Sequence, residues 1–132
     1  MEKLRVLFAD DEPLMRELMR ELLEAHGDTI EIVAEAVNGE DALEKFEATL
    51  PDVCLLDIRM PVKTGLEVAA EIGDRARIVF CTAYDQFAVE AFERGAVDYL
   101  LKPVEEERLN VTIERLLANV DLPPDDVTPV VH

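Results

Sequence analysis

Two kinds of side chain that build many catalytic centres are nearly missing from this chain. Only two histidines, His26 and His132, and two cysteines, Cys54 and Cys81, occur among its 132 residues. Zinc sites need several such ligands, so a zinc centre is not expected. A catalytic histidine would have no evident companions. Both cysteines lie inside apolar runs, which suits small buried hydrophobes of a reduced compartment rather than a disulfide or a metal pair. Basic residues are scarce as well. Thirteen Lys and Arg face 30 Asp and Glu, for a net charge of −17. Such a surface repels the phosphates of nucleic acids and of anionic membranes. The cations are scattered, and Arg16, Arg20 and Arg115 sit among acids on helix faces, so no groove-reading basic patch is present. No apolar stretch approaches the ~20 residues of a membrane span, and no signal-peptide pattern opens the sequence. These absences predict a cytoplasmic domain with neither nucleic acid nor membrane as a partner, suited to basic partners and divalent cations.

What is present is an ordinary globular composition, 49% hydrophobic and 33% charged, enough for one core. Short apolar runs alternate with longer amphipathic ones. Leu4–Ala9 predicts a strand. Leu14, Met15, Leu18, Met19, Leu22 and Leu23 then recur at helical spacing, up to Gly27. Thr29–Ala34 reads as an alternating strand, and Ala42, Leu43 and Phe46 mark a helix opened by Asn38-Gly39. Val53–Leu56 is a purely apolar strand, and Leu66, Ala69, Ala70 and Ile72 suggest a short helix after Gly65. Ile78–Cys81 reads as a strand, followed by a helix through Phe87, Ala88, Ala91 and Phe92 that stops at Gly95. Val97–Leu101 is the fifth strand, and Leu109, Ile113, Leu116, Leu117 and Val120 make the last helix.

Strands alternating with about five helices predict an α/β protein, a parallel sheet covered on both faces. The runs starting at Val6, Val53 and Ile78 are the most uniformly apolar, so they belong in the centre; the second and fifth strands are mixed and belong at the edges. That is the doubly wound, flavodoxin-like order 2-1-3-4-5. Residues 1–120 are expected to form this domain. From Asp121 the chain turns to Asp-Leu-Pro-Pro-Asp-Asp-Val-Thr-Pro without any period, which predicts a Pro-rich linker or tail over 121–132.

In a parallel sheet all strand ends share one edge, where ligands bind. The first strand runs into Asp10, Asp11 and Glu12-Pro13, the third into Asp57, the fourth ends at Thr82, and the fifth runs into Lys102-Pro103. Each residue has a plain structural explanation. Asp10 or Asp11 suits a helix N-cap, Asp57 a turn, Thr82 a capping hydroxyl, Lys102 a solvated charge, and Tyr99 a strand aromatic covering the edge. Their convergence points to chemistry instead. Two carboxylates about 4 Å apart repel by roughly 4 kcal/mol at an effective dielectric of 20. A hard divalent cation such as Mg2+ relieves that repulsion. A carboxylate is also a nucleophile toward phosphorus, and Asp57 on the central strand is best placed to attack. Lys102 and the metal would neutralise the phosphoryl oxygens, and Thr82 would donate to one of them.

The motifs Ala9-Asp10-Asp11-Glu12-Pro13, Leu56-Asp57-Ile58-Arg59-Met60-Pro61, Thr82-Ala83 and Tyr99-Leu100-Leu101-Lys102-Pro103 together resemble those of bacterial response-regulator receiver domains. The resemblance spans about residues 4–119. It implies a module of two-component signalling, not an enzyme beyond its own phosphorylation and dephosphorylation. Asp57 would take a phosphoryl group from a sensor histidine kinase. Mg2+, or Mn2+, would be held by Asp11, Asp57 and the carbonyl of Arg59, with Asp10 assisting through water. Thr82 and Lys102 would contact the phosphoryl group, and the Lys102–Pro103 bond is typically cis. Thr82 and Tyr99 would form the switch, with Tyr99 turning inward as Thr82 moves toward the phosphoryl group. A homodimer is expected through the face of the fourth helix, fifth strand and fifth helix, where Phe87 and Phe92 flank Glu90, Glu93 and Arg94. Arg59 and Tyr84 occupy variable flanking positions that tune phosphoryl lifetime. The stretches Thr82–Phe92 and Ala96–Pro103 are similar, more narrowly, to receivers joined to LytTR-type DNA-binding domains, the AlgR and LytR group of transcriptional regulators. The chain is then either part of a longer regulator or a stand-alone receiver.

Other readings fit less well. Aspartate-nucleophile phosphatases and dehalogenases usually show Asp-x-Asp after the first strand, where this chain has adjacent acids. A flavodoxin-like cofactor binder needs a phosphate-cradling loop there. Rossmann and Walker fingerprints are absent. The serious rival is a receiver-like interaction module that works without phosphorylation; its usual sign is loss of the acceptor Asp or the Lys, and both are kept.

Overall fold

A computed structural model of the chain describes residues 3–118. The elements follow in strict alternation: β1 (Leu4–Ala9), α1 (Pro13–Glu24), β2 (Ile30–Ala36), α2 (Gly39–Thr49), β3 (Val53–Leu56), α3 (Gly65–Ile72), β4 (Arg77–Thr82), α4 (Ala88–Glu93), β5 (Asp98–Leu101) and α5 (Glu106–Leu117). A 3-10 turn at Gly73–Arg75 follows α3. All pairings are parallel, and the sheet order is β2-β1-β3-β4-β5. Order and number of strands are those expected from the sequence.

The central strands are apolar on both sides because both sides are covered. Leu7, Cys54, Leu56 and Phe80 pack with Phe46, Val68 and Ile72 under α2–α4. Val6, Phe8, Leu55 and Val79 pack with Leu23, Leu109 and Ile113 under α1 and α5. Cys54 and Cys81 are buried free thiols, and burial pushes each thiol up to about 12. They are inert core residues, as their apolar surroundings implied.

Several boundaries differ from the sequence-based expectation. β2 runs on to Glu35 and Ala36. The ladder with β1 continues through Glu35 and Ala36, where the Arg20 guanidinium donates to both Glu35 carboxylate oxygens and Lys45 donates to the Glu35 carbonyl. α1 ends at Glu24 rather than at Gly27, which lies in the following turn. α4 is only six residues long, has no side-chain N-cap and buries only Ala91. Phe87 precedes it. Gly95, at φ +91°, does terminate it. Leu117 ends α5, and Val120 and the expected tail at 121–132 lie outside the described residues. α3 opens with a capping box: the Thr64 hydroxyl accepts from the Glu67 amide while the Glu67 carboxylate accepts from the Thr64 amide. No helix among the described residues is long and apolar enough to cross a membrane.

Candidate functional site

Strand register brings the carboxyl-terminal residues together. Ala9 pairs with Leu56, so Asp10 and Asp57 leave adjacent strands side by side, and the Asp57 amide donates to the Ala9 carbonyl. Thr82 pairs with Leu101, and the Lys102 amide donates to the Thr82 carbonyl. Asp10 and Asp57 are 7% and 5% exposed. The Lys102 ammonium lies 2.5 Å from Asp10 Oδ2, 2.8 Å from Asp57 Oδ2 and 3.5 Å from Glu12 Oε1.

The acids after β1 do not cap α1. Glu12 is the N-cap residue and makes no side-chain cap. Asp10 Oδ1 instead accepts the Glu12 amide at 2.9 Å, which folds the acidic run back over the strand ends. Asp10, Asp11, Glu12 and Asp57 each place a carboxylate oxygen within 4.8 Å of the others. One ammonium cannot neutralise four carboxylates. Burial holds the Asp10 carboxyl above its usual range in spite of hydrogen bonds from Lys102 and Glu12. Burial opposes the charge of Lys102 too, but its hydrogen bonds to Asp10 and Asp57 win and raise its pKa.

Asp57 Oδ1 is buried and has no hydrogen-bond partner among the described residues, while Oδ2 is held by Lys102. An orphaned buried carboxylate oxygen is costly. It lies among hard oxygen ligands, the donor set a divalent cation such as Mg2+ prefers. The residues present therefore fit a cation. Glu12 was not singled out as part of the site from sequence; only the fold brings its carboxylate to Lys102.

Backbone packing fixes Asp57. A Cβ at Gly65 would lie 2.1 Å from the Asp57 carbonyl oxygen, so only glycine lets α3 start against the end of β3. The Gly65 amide donates to the Ile58 carbonyl. Between them, Val62 adopts φ +73° and the Lys63 amide donates to the Pro61 carbonyl, a tight turn rarely tolerated by a β-branched residue. The Lys102–Pro103 bond is cis.

Thr82 is fully buried, and its hydroxyl accepts from the Tyr84 amide at 3.4 Å. Tyr99 is 8% exposed, packs its ring 6.3 Å from Phe80 and donates its hydroxyl to the Tyr84 carbonyl. Its side chain is packed inward, between Phe80 and the loop that follows β4. Arg59 is exposed, with its guanidinium carbon 4.7 Å from the centre of the Tyr84 ring. Phe87 and Phe92 are half-buried and pack against the core. The exposed apolar side chains of α4, β5 and α5 are Val89, Leu101, Val111 and Leu117.

A third buried acid, Asp98, lies outside this cluster. Asp98, 1% exposed, accepts from both terminal nitrogens of Arg108, at 2.9 and 2.7 Å, from the Thr112 hydroxyl at 2.7 Å and from the Tyr99 amide. It binds β5 to α5. The sequence shows Asp98 only as an acid within a strand, and nothing local marks its partners ten and 14 residues away.

Residues 6–114 match the family model described as the response regulator receiver domain. The chain is 49% identical over 115 residues to the transcriptional regulatory protein BtsR of Salmonella typhi, a match covering 86% of this chain and 48% of that protein. It is 48% identical over 113 residues to a response regulatory protein of Vibrio cholerae, covering 83% of this chain and 43% of the other. The chain thus spans about half the length of these relatives. Among solved structures, the receiver domain of NarL from Mycobacterium tuberculosis superposes with a TM-score of 0.78 at 36% identity, covering 89% of this chain and 96% of that one. The response regulatory domain of mrkE from Klebsiella pneumoniae gives 0.81 at 34% identity, covering 87% and 96%.

Proposed function

From the premise that this chain belongs to the response regulator receiver family, we propose that Asp57 is its phospho-acceptor and that a sensor histidine kinase is the donor. A receiver domain is a signalling module of two-component systems rather than an ordinary enzyme. The only chemistry assigned to this one is the gain and loss of its own phosphoryl group. The observation that carries the reading is Asp57 itself, buried, held on one oxygen by Lys102 and free on the other. A carboxylate oxygen of Asp57 forms the new P–O bond while the P–N bond of phosphohistidine breaks, and the imidazole leaves. Lys102 holds the acceptor in position and balances the charge that gathers on the phosphoryl oxygens. Thr82 donates its hydroxyl to one of them.

Receiver domains generally bind Mg2+ at an acidic pocket, and here Asp10, Asp11, Asp57 and the Arg59 carbonyl would hold it, or Mn2+, with Glu12 at the rim. When bound, the cation neutralises phosphoryl oxygens and so lowers the barrier to transfer. The output is a change at the α4–β5–α5 face, with Thr82 and Tyr99 as the switch pair and homodimerisation as its form. The exposed Val89, Leu101 and Val111 support that surface. The net charge of −17 supports an output through protein contacts, with DNA reached only through a joined output domain. The LytTR-type kinship rests on the residues from Thr82 to Phe92 and from Ala96 to Pro103. A cytoplasmic site of action follows from the kinase donor.

Acetyl phosphate with Mg2+ is expected to label the parent chain, and Asp57→Asn to remove the label. Equal labelling of both would overturn the assignment. Beryllofluoride binding that requires Mg2+ separates a working receiver from an interaction module that never takes a phosphoryl group.

A further inference from the structure

A groove of about 890 Å3 opens between α3 and α4 at the amino-terminal edge of the sheet, the edge opposite the acidic crevice. Its lining combines buried apolar residues, Phe80, Ala91 and Ala96, with three cations, Arg75, Arg77 and Arg94. Three of the chain's 13 basic residues therefore meet here, against two of its 30 acids, Asp52 and Asp74. Arg75 and Arg94 are about half exposed and pair with Glu47 and Glu90. Ion pairs so exposed are weak enough to be exchanged for others. Arg77 makes no ion pair with a carboxylate among the described residues; its guanidinium donates to the Leu116 carbonyl in the last turn of α5. One residue thus lines the groove and holds the end of the last described helix.

We propose that this groove is the seat of the chain's own residues 121–132, the segment that follows α5. Position comes first. The described residues end at Ala118, two past the Leu116 carbonyl that Arg77 holds, so the chain continues from the mouth of the groove. Asp121 stands five residues beyond Leu116, a reach of up to ~17 Å at ~3.3 Å per residue. Charge comes second. The segment carries Asp121, Asp125 and Asp126 and neither Lys nor Arg. A chain of net charge −17 repels such a segment over most of its surface and attracts it where cations gather. Composition comes third. Leu122, Pro123 and Pro124 offer apolar surface to Phe80, Ala91 and Ala96, between acids that meet the arginines. Proline also fixes φ, so less freedom is lost when such a segment docks. A seated segment ties α3 to the end of α4 and sets the direction in which the chain leaves the domain, at the edge away from the crevice.

The buried thiols make the test direct. A nitroxide offered to full-length Val127→Cys attaches to the new thiol alone, because Cys54 and Cys81 are buried. In the isotope-labelled chain the nitroxide is expected to broaden the NMR signals of the Ala70, Gly73, Arg94 and Gly95 amides most, and those of Asp11 and Ala83 at the crevice edge least. Adding Arg94→Glu is expected to lessen the groove broadening roughly fivefold, the scale of one exposed ion pair. Asp121→Asn, Asp125→Asn and Asp126→Asn made together should lessen it at least as much, and they alter no residue of the described domain. Broadening spread evenly over both edges would overturn the proposal, as would groove broadening that neither variant reduces. A mixture of nitroxide-free labelled chain with unlabelled nitroxide-bearing chain identifies the source. Groove broadening there as strong as within one chain would assign the seat to a second copy and overturn this reading; its absence supports it.

Discussion

Asp57 and Asp98 are both buried carboxylates facing a cation, and they differ in what surrounds the pair. At Asp98 the charges and hydrogen bonds are matched: two guanidinium nitrogens, a hydroxyl and an amide supply donors to both oxygens. Burial opposes its ionisation, but these partners win and hold its carboxyl below the usual carboxylate range. At the crevice the partners are mostly rivals. Asp10, Asp11 and Glu12 crowd Asp57, and among the described residues a single ammonium serves them and Asp57 Oδ1 has no partner. A satisfied buried acid fastens β5 to α5. A frustrated one leaves a charge unmatched, of the kind a divalent cation would balance.

By this contrast the same chemical change has opposite signs at the two places. Arg108→Ala strands the Asp98 carboxylate and is expected to cost about 1–3 kcal/mol, toward the lower end because the guanidinium is partly solvated. Denaturant unfolding with an unchanged slope would show it. Next in size, Mg2+ at ten times its dissociation constant should stabilise the parent by about 1.4 kcal/mol, and Asp11→Ala should remove most of that gain. An equal stabilisation by sodium chloride at matched ionic strength would count against a specific cation site. Smaller still, Asp10→Asn without divalent cations is expected to stabilise by roughly a few tenths of a kcal/mol, the scale of one poorly screened repulsion, whereas Asp98→Asn destabilises. A loss at both positions would erase the comparison. The least visible effect is at low pH. Asp98, held below its ordinary value of 3.8, contributes stability that is full above that value and lost as pH falls below it toward the lowered one. Acid unfolding monitored in Arg108→Ala should therefore be shallower below pH ~3.8 than in the parent.

Much of this was legible before the fold was known. Period alone places the five strands, and the uniformly apolar Val53–Leu56 matches the observed strand end for end. Asp10, Asp11, Asp57 and Lys102 come together because each lies just past the end of its strand, and Thr82 ends β4 beside them, so register suffices. What escaped depends on distant partners. β2 is longer because its ladder with β1 continues through Glu35 and Ala36, α4 is shorter because Phe87 packs inward before the helix begins, and Asp98 looks like any strand acid until Arg108 arrives from α5. The sequence marks Gly65 only as a helix start, since its closeness to the Asp57 carbonyl belongs to tertiary packing. The capping box of Thr64-Gly65-Leu66-Glu67 is local and written in the sequence itself.

The brevity of α4 has a consequence in time as well as in space. Helices under about 12 residues do not hold themselves together in water, and their lifetime depends on what they pack against. α5 has twelve residues and buries Leu109, Thr112, Ile113 and Leu116. α4 has six and buries only Ala91. Amide hydrogens of α4 should therefore exchange with solvent through brief local openings, while those of α5 wait for far rarer excursions. Such a segment reaches a new equilibrium quickly after any disturbance nearby, and the rest of the molecule keeps its hydrogen bonds while it does so.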